Sequence, residues 1–287
     1  MKAMTTMIGL AIRCYRATPL HPGLNRYLAP LLGFVNRSHR KEMFVHDTGR
    51  FLMNIDLSQT IDAKIHYTGA WEPDVEQTIL KLLPPGGTGI DVGANIGYLS
   101  LAMAARAGVG GRVIAFEPTA WAFERLRANV DLNDMGQVTA VQAGVGDEVG
   151  QIDRLPVYEG YRLDARHKTV HQPVKWTTLD HYLSEHPQSR VDLIKSDTEG
   201  WETRVFRGST ETLRRFRPAL VFELFPGRLR ANGSSAEELT ALLREAGYRF
   251  LQAGALTEID HVDDLTRKLS SSGRHANIVA LAREPHG

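Results

Sequence analysis

The sequence predicts an α/β fold: a doubly wound, mostly parallel sheet, preceded by a small N-terminal helical and β extension. Three observations carry this. From about residue 88 onward, short apolar β-branched runs alternate with helix-length amphipathic runs, the pattern of a sheet covered on both faces. The first run, 88–92, opens directly into a turn punctuated by Gly93 and Gly97 and then into a helical stretch. The second run, 112–116, ends in Glu117-Pro118, an acid at a strand end followed by a residue suited to a first helical turn.

Taken in order, residues 4–15 and 24–32 read as two short helices of mixed apolar and basic character, with Arg13, Arg16 and Arg26. They fit a cap packed on the main domain, with peripheral membrane contact or a homodimer face as alternatives. Arg13 and Arg16 interrupt the apolar run 7–12 far short of the ~20 residues of a membrane span, and no cleavage pattern follows it. Neither a transmembrane segment nor a signal peptide is therefore expected. Residues 43–45, 51–57 and 61–66 read as short strands, the first two joined by Asp47-Thr48-Gly49. A helix over 74–83 carries Val75, Ile79, Leu82 and Leu83 on one stripe, and Pro84-Pro85-Gly86-Gly87 stops it. The division this suggests is an extension over 1–68 and a main domain over 69–287.

In the main domain, strands are expected at 89–92, 113–116, 138–143, 191–196 and 219–224, with 248–253 and 276–282 finishing the sheet. Helices are expected over 98–107, 120–132, 202–216 and 236–246. The stretch 144–185 is the least regular; 158–175 alternates like a hairpin, with Arg162, Arg166 and Lys168 on a solvated face. His167 and His171 have a spacing that serves a metal on a helix, and the residues around them are not helical. Asp180 reads as the cap of a helix beginning at His181.

Composition narrows the function classes. With 34 basic and 33 acidic residues the net charge is +1, which gives no electrostatic reason to expect nucleic acid as a partner. Apolar residues at 43% and charged residues at 23% suit a packed domain. The single cysteine, Cys14, permits no internal disulfide and fits a reducing compartment, hence a cytoplasmic setting.

The strand–turn–helix junction is a nucleotide-type site, where free amides and the positive end of a helix are expected to face outward. A dinucleotide loop uses three glycines to cradle a pyrophosphate. Here Asn95 stands at the middle position, and Asp91, at the strand end, would repel a diphosphate and welcome a cation. Glu117 is placed to accept from ribose hydroxyls. A ligand with an ammonium group, a ribose and no phosphate fits, and S-adenosylmethionine has these features.

Together Asp91-Val92-Gly93-Ala94-Asn95-Ile96-Gly97, Phe116-Glu117-Pro118 and Asp192-Leu193-Ile194-Lys195-Ser196-Asp197-Thr198-Glu199-Gly200 resemble the FkbM-type family of S-adenosylmethionine-dependent methyltransferases. The similarity runs from about Gly69 to the C-terminus, and the string from Lys195 to Glu202 is its most specific part. It implies a class I methyltransferase, Rossmann-like fold whose last two strands form an antiparallel edge hairpin, and methyl transfer to a hydroxyl of a sugar, glycolipid or secondary metabolite. An NAD-dependent oxidoreductase and a non-catalytic module binding S-adenosylmethionine are the alternatives. The expected cofactor contacts are Asp91, Gly93, Ala94, Asn95, Gly97, Glu117 and Pro118. Asp147 joins them just past the third strand, where this fold class contacts adenine.

Methyl transfer from a sulfonium to a hydroxyl is an in-line displacement. Alignment accounts for ~7–11 kcal/mol of such a barrier, and a general base for about 3–5 kcal/mol. Alternation along the fourth strand puts Lys195 and Asp197 on one side, with Glu199 continuing the row. Asp197 is the first choice to orient or deprotonate the acceptor and Glu199 the second. Lys195 would stabilise the alkoxide or hold Asp197 ionised. Glu202 reads as a charge favouring the N-terminus of the next helix. Trp71, Glu72 and Trp201 are candidates to line the pocket of a small-molecule or glycan acceptor. No metal is expected, since no aspartate pair marks one, although Asp197, Glu199 and Glu223 would offer a divalent cation oxygen ligands.

Overall fold

A computed structural model describes residues 43–160 and 168–283. The two N-terminal helices expected from sequence, Cys14, Arg162, Arg166 and His167 lie outside the described residues, and the side chain of Lys168 is not described. The chain divides into two units, residues 1–71 with 158–169 and residues 72–157 with 170–287.

In the first unit, β1 (Met43–Asp47) and β2 (Leu52–Asp56) form an antiparallel hairpin whose register runs from Met43 opposite Asp56 to Asp47 opposite Leu52. The Gly49 amide donates to Asp47 Oδ1 at 2.7 Å, and Thr48 Oγ1 donates to the Phe51 carbonyl at 2.8 Å. The strand expected over 61–66 is instead a helix, α1 (Thr60–Thr68). The alternation of Ile61, Ala63 and Ile65 imitates a strand. Two local bonds decide otherwise: Asp62 Oδ1 accepts from the Asp56 amide at 2.8 Å, and the left-handed Gly69 donates its amide to the Ile65 carbonyl.

The second unit opens with α2 (Pro73–Leu82), whose Pro at the start suits a first turn. Its sheet contains β3 (Thr88–Val92), β4 (Arg112–Phe116), β5 (Val138–Val141), β9 (Leu193–Ser196), β10 (Ala219–Leu224), β11 (Tyr248–Gln252) and β12 (Ala276–Ala282). The spatial order is β11-β12-β10-β9-β3-β4-β5. Strands β10, β9, β3, β4 and β5 run parallel, and β12 is antiparallel to both β10 and β11, which gives the expected edge. The order reverses between β3 and β9, so a crevice opens beyond their carboxyl ends.

Helices α3 (Tyr98–Ala107) and α4 (Ala120–Leu132) follow β3 and β4. Strand β3 is buried along its whole length, as a central parallel strand covered on both faces must be. Ile90, Phe116, Phe206, Phe222 and Tyr248 belong to a core that spans the sheet. Between β5 and β9 lie β6 (Gly144–Val145), β7 (Gly150–Glu159), β8 (Lys168–Thr177) and α5 (Leu179–Glu185). The cap of α5 is Thr178, whose side chain accepts from the His181 amide. Asp180, expected in that role, reaches across to the Glu211 and Thr212 amides instead.

The helix expected over 202–216 is two, α6 (Glu202–Arg207) and α7 (Thr210–Phe216). The break falls at Gly208, where a Cβ would meet the Gly146 carbonyl oxygen at 1.9 Å, so the chain passes too close to its neighbour for any side chain. Three further helices complete the unit: α8 (Pro226–Ala231), α9 (Ala236–Glu245) and α10 (Val262–Ser272). The first and last were not legible as helices. Among the described residues no helix is long and apolar enough to cross a membrane.

Candidate functional site

The turn after β3 is closed by its own hydrogen bonds. The Gly93 and Ala94 amides both donate to the Phe116 carbonyl, at 3.0 and 2.9 Å. The Asn95 amide donates to Glu117 Oε2 at 2.9 Å, and the Ile96 amide to Asn95 Oδ1 at 2.8 Å. The Gly97 amide donates to the Ala94 carbonyl. For the turn residues 93–97, the expectation of free, outward amides is therefore corrected. A pyrophosphate would find these donors already committed.

Gly93 has φ of 78°, and a Cβ there would lie 2.0 Å from the Asp197 carbonyl oxygen. Only glycine lets the end of β9 come this close to the turn.

Beneath the turn lies a buried ion pair. Asp91 has no exposed surface; its Oδ1 lies 3.0 Å from Lys195 Nζ, and its Oδ2 accepts from Ser100 Oγ at 2.6 Å. Lys195 also donates to the Gly93 carbonyl at 2.9 Å. Burial by itself lowers the proton affinity of the Lys195 ammonium, but the carboxylates of Asp91, Asp197 and Glu72 outweigh it and the net shift is upward. Lys195 thus holds the cofactor-type turn to the sheet. Asp91 and the Gly93 carbonyl thus take two of its protons, and the cation that Asp91 meets here is this one.

Glu117 is buried at the end of β4. Its Oε1 accepts from the Thr119 amide and hydroxyl, at 2.8 and 2.6 Å. Burial pushes its carboxyl up, against the pull of the Thr119 and Asn95 hydrogen bonds. The Pro118 carbonyl accepts from Gln172 Nε2 at 3.0 Å, so β8 braces this turn. The Asp147 carboxylate faces the Arg204 and Arg207 guanidinium groups, at 3.5 and 3.9 Å.

At the end of β9 the carboxylates diverge. Asp197 is partly exposed and directly follows the strand. Glu199 does not continue the row of Lys195 and Asp197: its backbone turns left-handed, with φ of 59°, and its carboxylate pairs with Arg228. Glu202 is fully buried. Its Oε1 accepts from the Thr198 amide and hydroxyl, at 2.8 and 2.9 Å, and its Oε2 has no hydrogen-bond partner. Burial first, then the neighbouring Asp197, push it up to about 6.

Sequence reasoning weighed Glu223 only as a metal ligand. It lies near the end of β10 with its side chain 15% exposed, and burial followed by Asp197, Glu202 and Glu72 pushes it up to about 8. Ser100 was missed as well. Its signal was its position in the first turn of α3, facing back toward the strand that carries Asp91.

The aromatic candidates are partly committed. Trp201 packs against Trp176 with ring centroids 4.7 Å apart, and the Arg204 guanidinium lies over the Trp201 ring at 5.0 Å. Trp71, in the first unit, has the Lys64 ammonium over its ring at 4.5 Å. Glu72 is the left-handed residue that starts α2 in the second unit. Among the described residues no group of three or more His, Cys, Asp or Glu is arranged to hold a metal ion.

Residues 91–250 match the methyltransferase FkbM domain. Hexuronic acid methyltransferase AglP of Haloferax volcanii is 27% identical over 178 residues, covering 61% of this chain and 69% of that protein. AMB antimetabolite synthetase AmbE of Pseudomonas aeruginosa is 27% identical over 208 residues, covering 58% of this chain and 10% of the synthetase. The solved methyltransferase FkbM of Methylobacillus flagellatus KT is 14% identical with a TM-score of 0.44, covering 76% of this chain and 52% of that one. The chain thus spans a tenth of the synthetase and about half of the solved protein.

Proposed function

Since the chain belongs to the FkbM methyltransferase family, we propose that it is an S-adenosylmethionine-dependent O-methyltransferase acting on a hydroxyl of a sugar, glycolipid or secondary metabolite. The observation that carries the cofactor choice is the turn from Gly93 to Gly97. Its amides are taken by Phe116, Glu117, Asn95 and Ala94, and the partly exposed Asp197 and Glu223 stand at neighbouring strand ends, so the rim suits a cationic, phosphate-free adenosyl ligand better than a dinucleotide. Carboxylate oxygens accept more than one hydrogen bond, which leaves Glu117 able to take ribose hydroxyls while it keeps the Asn95 amide. Asp91 acts through Lys195, keeping Gly93 and the end of β9 in place. Asp147, past the third parallel strand and beside Arg204 and Arg207, is the residue this reading gives to adenine.

When bound, S-adenosylmethionine supplies an electrophilic methyl group on a sulfonium. The chain's own part is alignment and proton handling. Asp197 orients the acceptor hydroxyl at the strand end, Trp201 and Glu72 border it, and Glu199, tied to Arg228, shapes the rim. The names of AglP and AmbE, a hexuronic acid methyltransferase and an antimetabolite synthetase, support an acceptor of the sugar or secondary-metabolite kind.

The test is label transfer. The protein is incubated with methyl-labelled S-adenosylmethionine and a panel holding methyl glucuronoside, methyl glucoside and other hydroxylated acceptors, and the products are read by mass spectrometry. A labelled methyl ether is the expected product. Reduction of NAD by the same acceptors, or tight S-adenosylhomocysteine binding with no transfer to any of them, would favour the oxidoreductase or the non-catalytic module instead.

A further inference from the structure

The register of the sheet brings a residue that the family string does not contain to the point of reaction. Val92 pairs with Ser196, and Ser196 with Phe222, across three parallel strands. The next position on each strand therefore brings Gly93, Asp197 and Glu223 to one level, at the mouth of the crevice between β3 and β9. Phe222 and Leu224 are buried in the core on one face of β10, so alternation turns Glu223 to the other, the face that also carries Lys195.

We propose that Glu223, seated beside Asp197 at the end of β10, is the proton acceptor for the hydroxyl being methylated, with Asp197 as the positioning residue. This rests on the methyltransferase reading above. In the step, the acceptor O–H bond breaks toward a Glu223 carboxylate oxygen as the acceptor oxygen bonds to the methyl carbon. The methyl–sulfur bond breaks with its electron pair kept by sulfur. The proton then leaves Glu223 for solvent past His275, whose Nε2 lies 3.7 Å from Glu223 Oε1 and whose side chain is exposed.

The surroundings make Glu223 a base and not a spectator. It is largely buried, and it faces Asp197 and Lys195 on β9, Glu202 on α6, Glu72 at the start of α2 and His275 beside β12. Burial and three carboxylates raise its proton affinity, and the Lys195 ammonium opposes them least, being spent on Asp91. The resulting value of about 8 suits proton abstraction near neutral pH. Glu202, buried with one oxygen unpartnered, sustains that field from below.

The experiment needs no acceptor. Sinefungin carries an ammonium where the methyl donor carries its sulfonium methyl, so a carboxylate at the transfer point binds it in preference to S-adenosylhomocysteine. The ratio of the two affinities is measured by calorimetry on the full chain and on Glu223→Gln, at about one pH unit below and above the Glu223 value. The unmodified protein is expected to gain at least about fivefold in sinefungin preference as Glu223 ionises, and Glu223→Gln to lose that gain while S-adenosylhomocysteine affinity stays within about twofold. The same gain in Glu223→Gln overturns the proposal. Asp197→Asn is the second variant: removing that charge moves the onset of the gain to lower pH, and an unmoved onset also overturns it. Absence of S-adenosylhomocysteine binding to the unmodified protein defeats the cofactor reading itself, an outcome distinct from a bound analogue with no Glu223 dependence.

Discussion

At the ends of β3 and β4 the carboxylates have met their donors: Asp91 holds Lys195 and Ser100, and Glu117 holds the Asn95 amide and Thr119. At the ends of β9 and β10, a few ångströms across the same sheet, Asp197, Glu202 and Glu223 share one field, and two of them are held well above the usual carboxylate range. The first region is a neutralised frame that fixes where a ligand lies. The second keeps excess negative charge that is ready to take a proton. The same residue type does both jobs, and amides do not make the difference, since Glu202 accepts from the Thr198 amide as Glu117 does from that of Thr119: Asp91 has the Lys195 ammonium at 3.0 Å, whereas Asp197, Glu202 and Glu223 crowd one another.

The sharpest way to break this contrast is to remove the cation. Lys195→Met leaves Asp91 buried without a countercharge and is expected to destabilise the fold by about 3–5 kcal/mol, read by urea denaturation. The double variant with Asp91→Asn should recover part of that loss, which identifies the charge and not the lysine stem as the cause. Gly93→Ala drives a methyl group into the Asp197 carbonyl and is expected to cost at least about 2 kcal/mol and to weaken S-adenosylhomocysteine binding. Ser100→Ala withdraws a hydroxyl from Asp91 and should cost about 1–3 kcal/mol in the same assay.

On the other side of the contrast the sign reverses. Glu202 and Glu223 bind protons more tightly folded than unfolded, so the folded state carries extra protons between the ordinary carboxylate value and about 6 and about 8 respectively. Stability must fall as pH rises through that window. Glu223→Gln removes the larger part, so the variant is expected to be more stable than the parent above about pH 8, by roughly 1 kcal/mol or more, and to lose that advantage near pH 4. Thermal melts across the range measure it. The smallest effect belongs to the exposed pair of Glu199 and Arg228, where Arg228→Ala should change stability by less than about 1 kcal/mol.

Much of this frame was legible in the sequence because it is local. The glycine turn, the acid before Pro118 and the β-branched runs each announce themselves within a few residues, and the doubly wound α/β class followed from their alternation with helices. What escaped depends on contacts far apart in the chain. Ile61, Ala63 and Ile65 alternate like a strand, and it took the Asp62 bond to Asp56 to make them helical. The apparent helix 202–216 is cut by Gly146 arriving from a distant loop. Lys195 reads as a reactive group next to Asp197 until β3 delivers Asp91 beside it, and Glu223 acquires its role only when the register sets it level with Asp197.

The most direct measurement is calorimetric titration of the full chain with S-adenosylhomocysteine and, separately, with NADH. Saturable micromolar binding of S-adenosylhomocysteine with no heat from NADH is the predicted result. Binding of NADH alone would show that the turn at Gly93 frees its amides for a pyrophosphate, and the account of this site would be wrong.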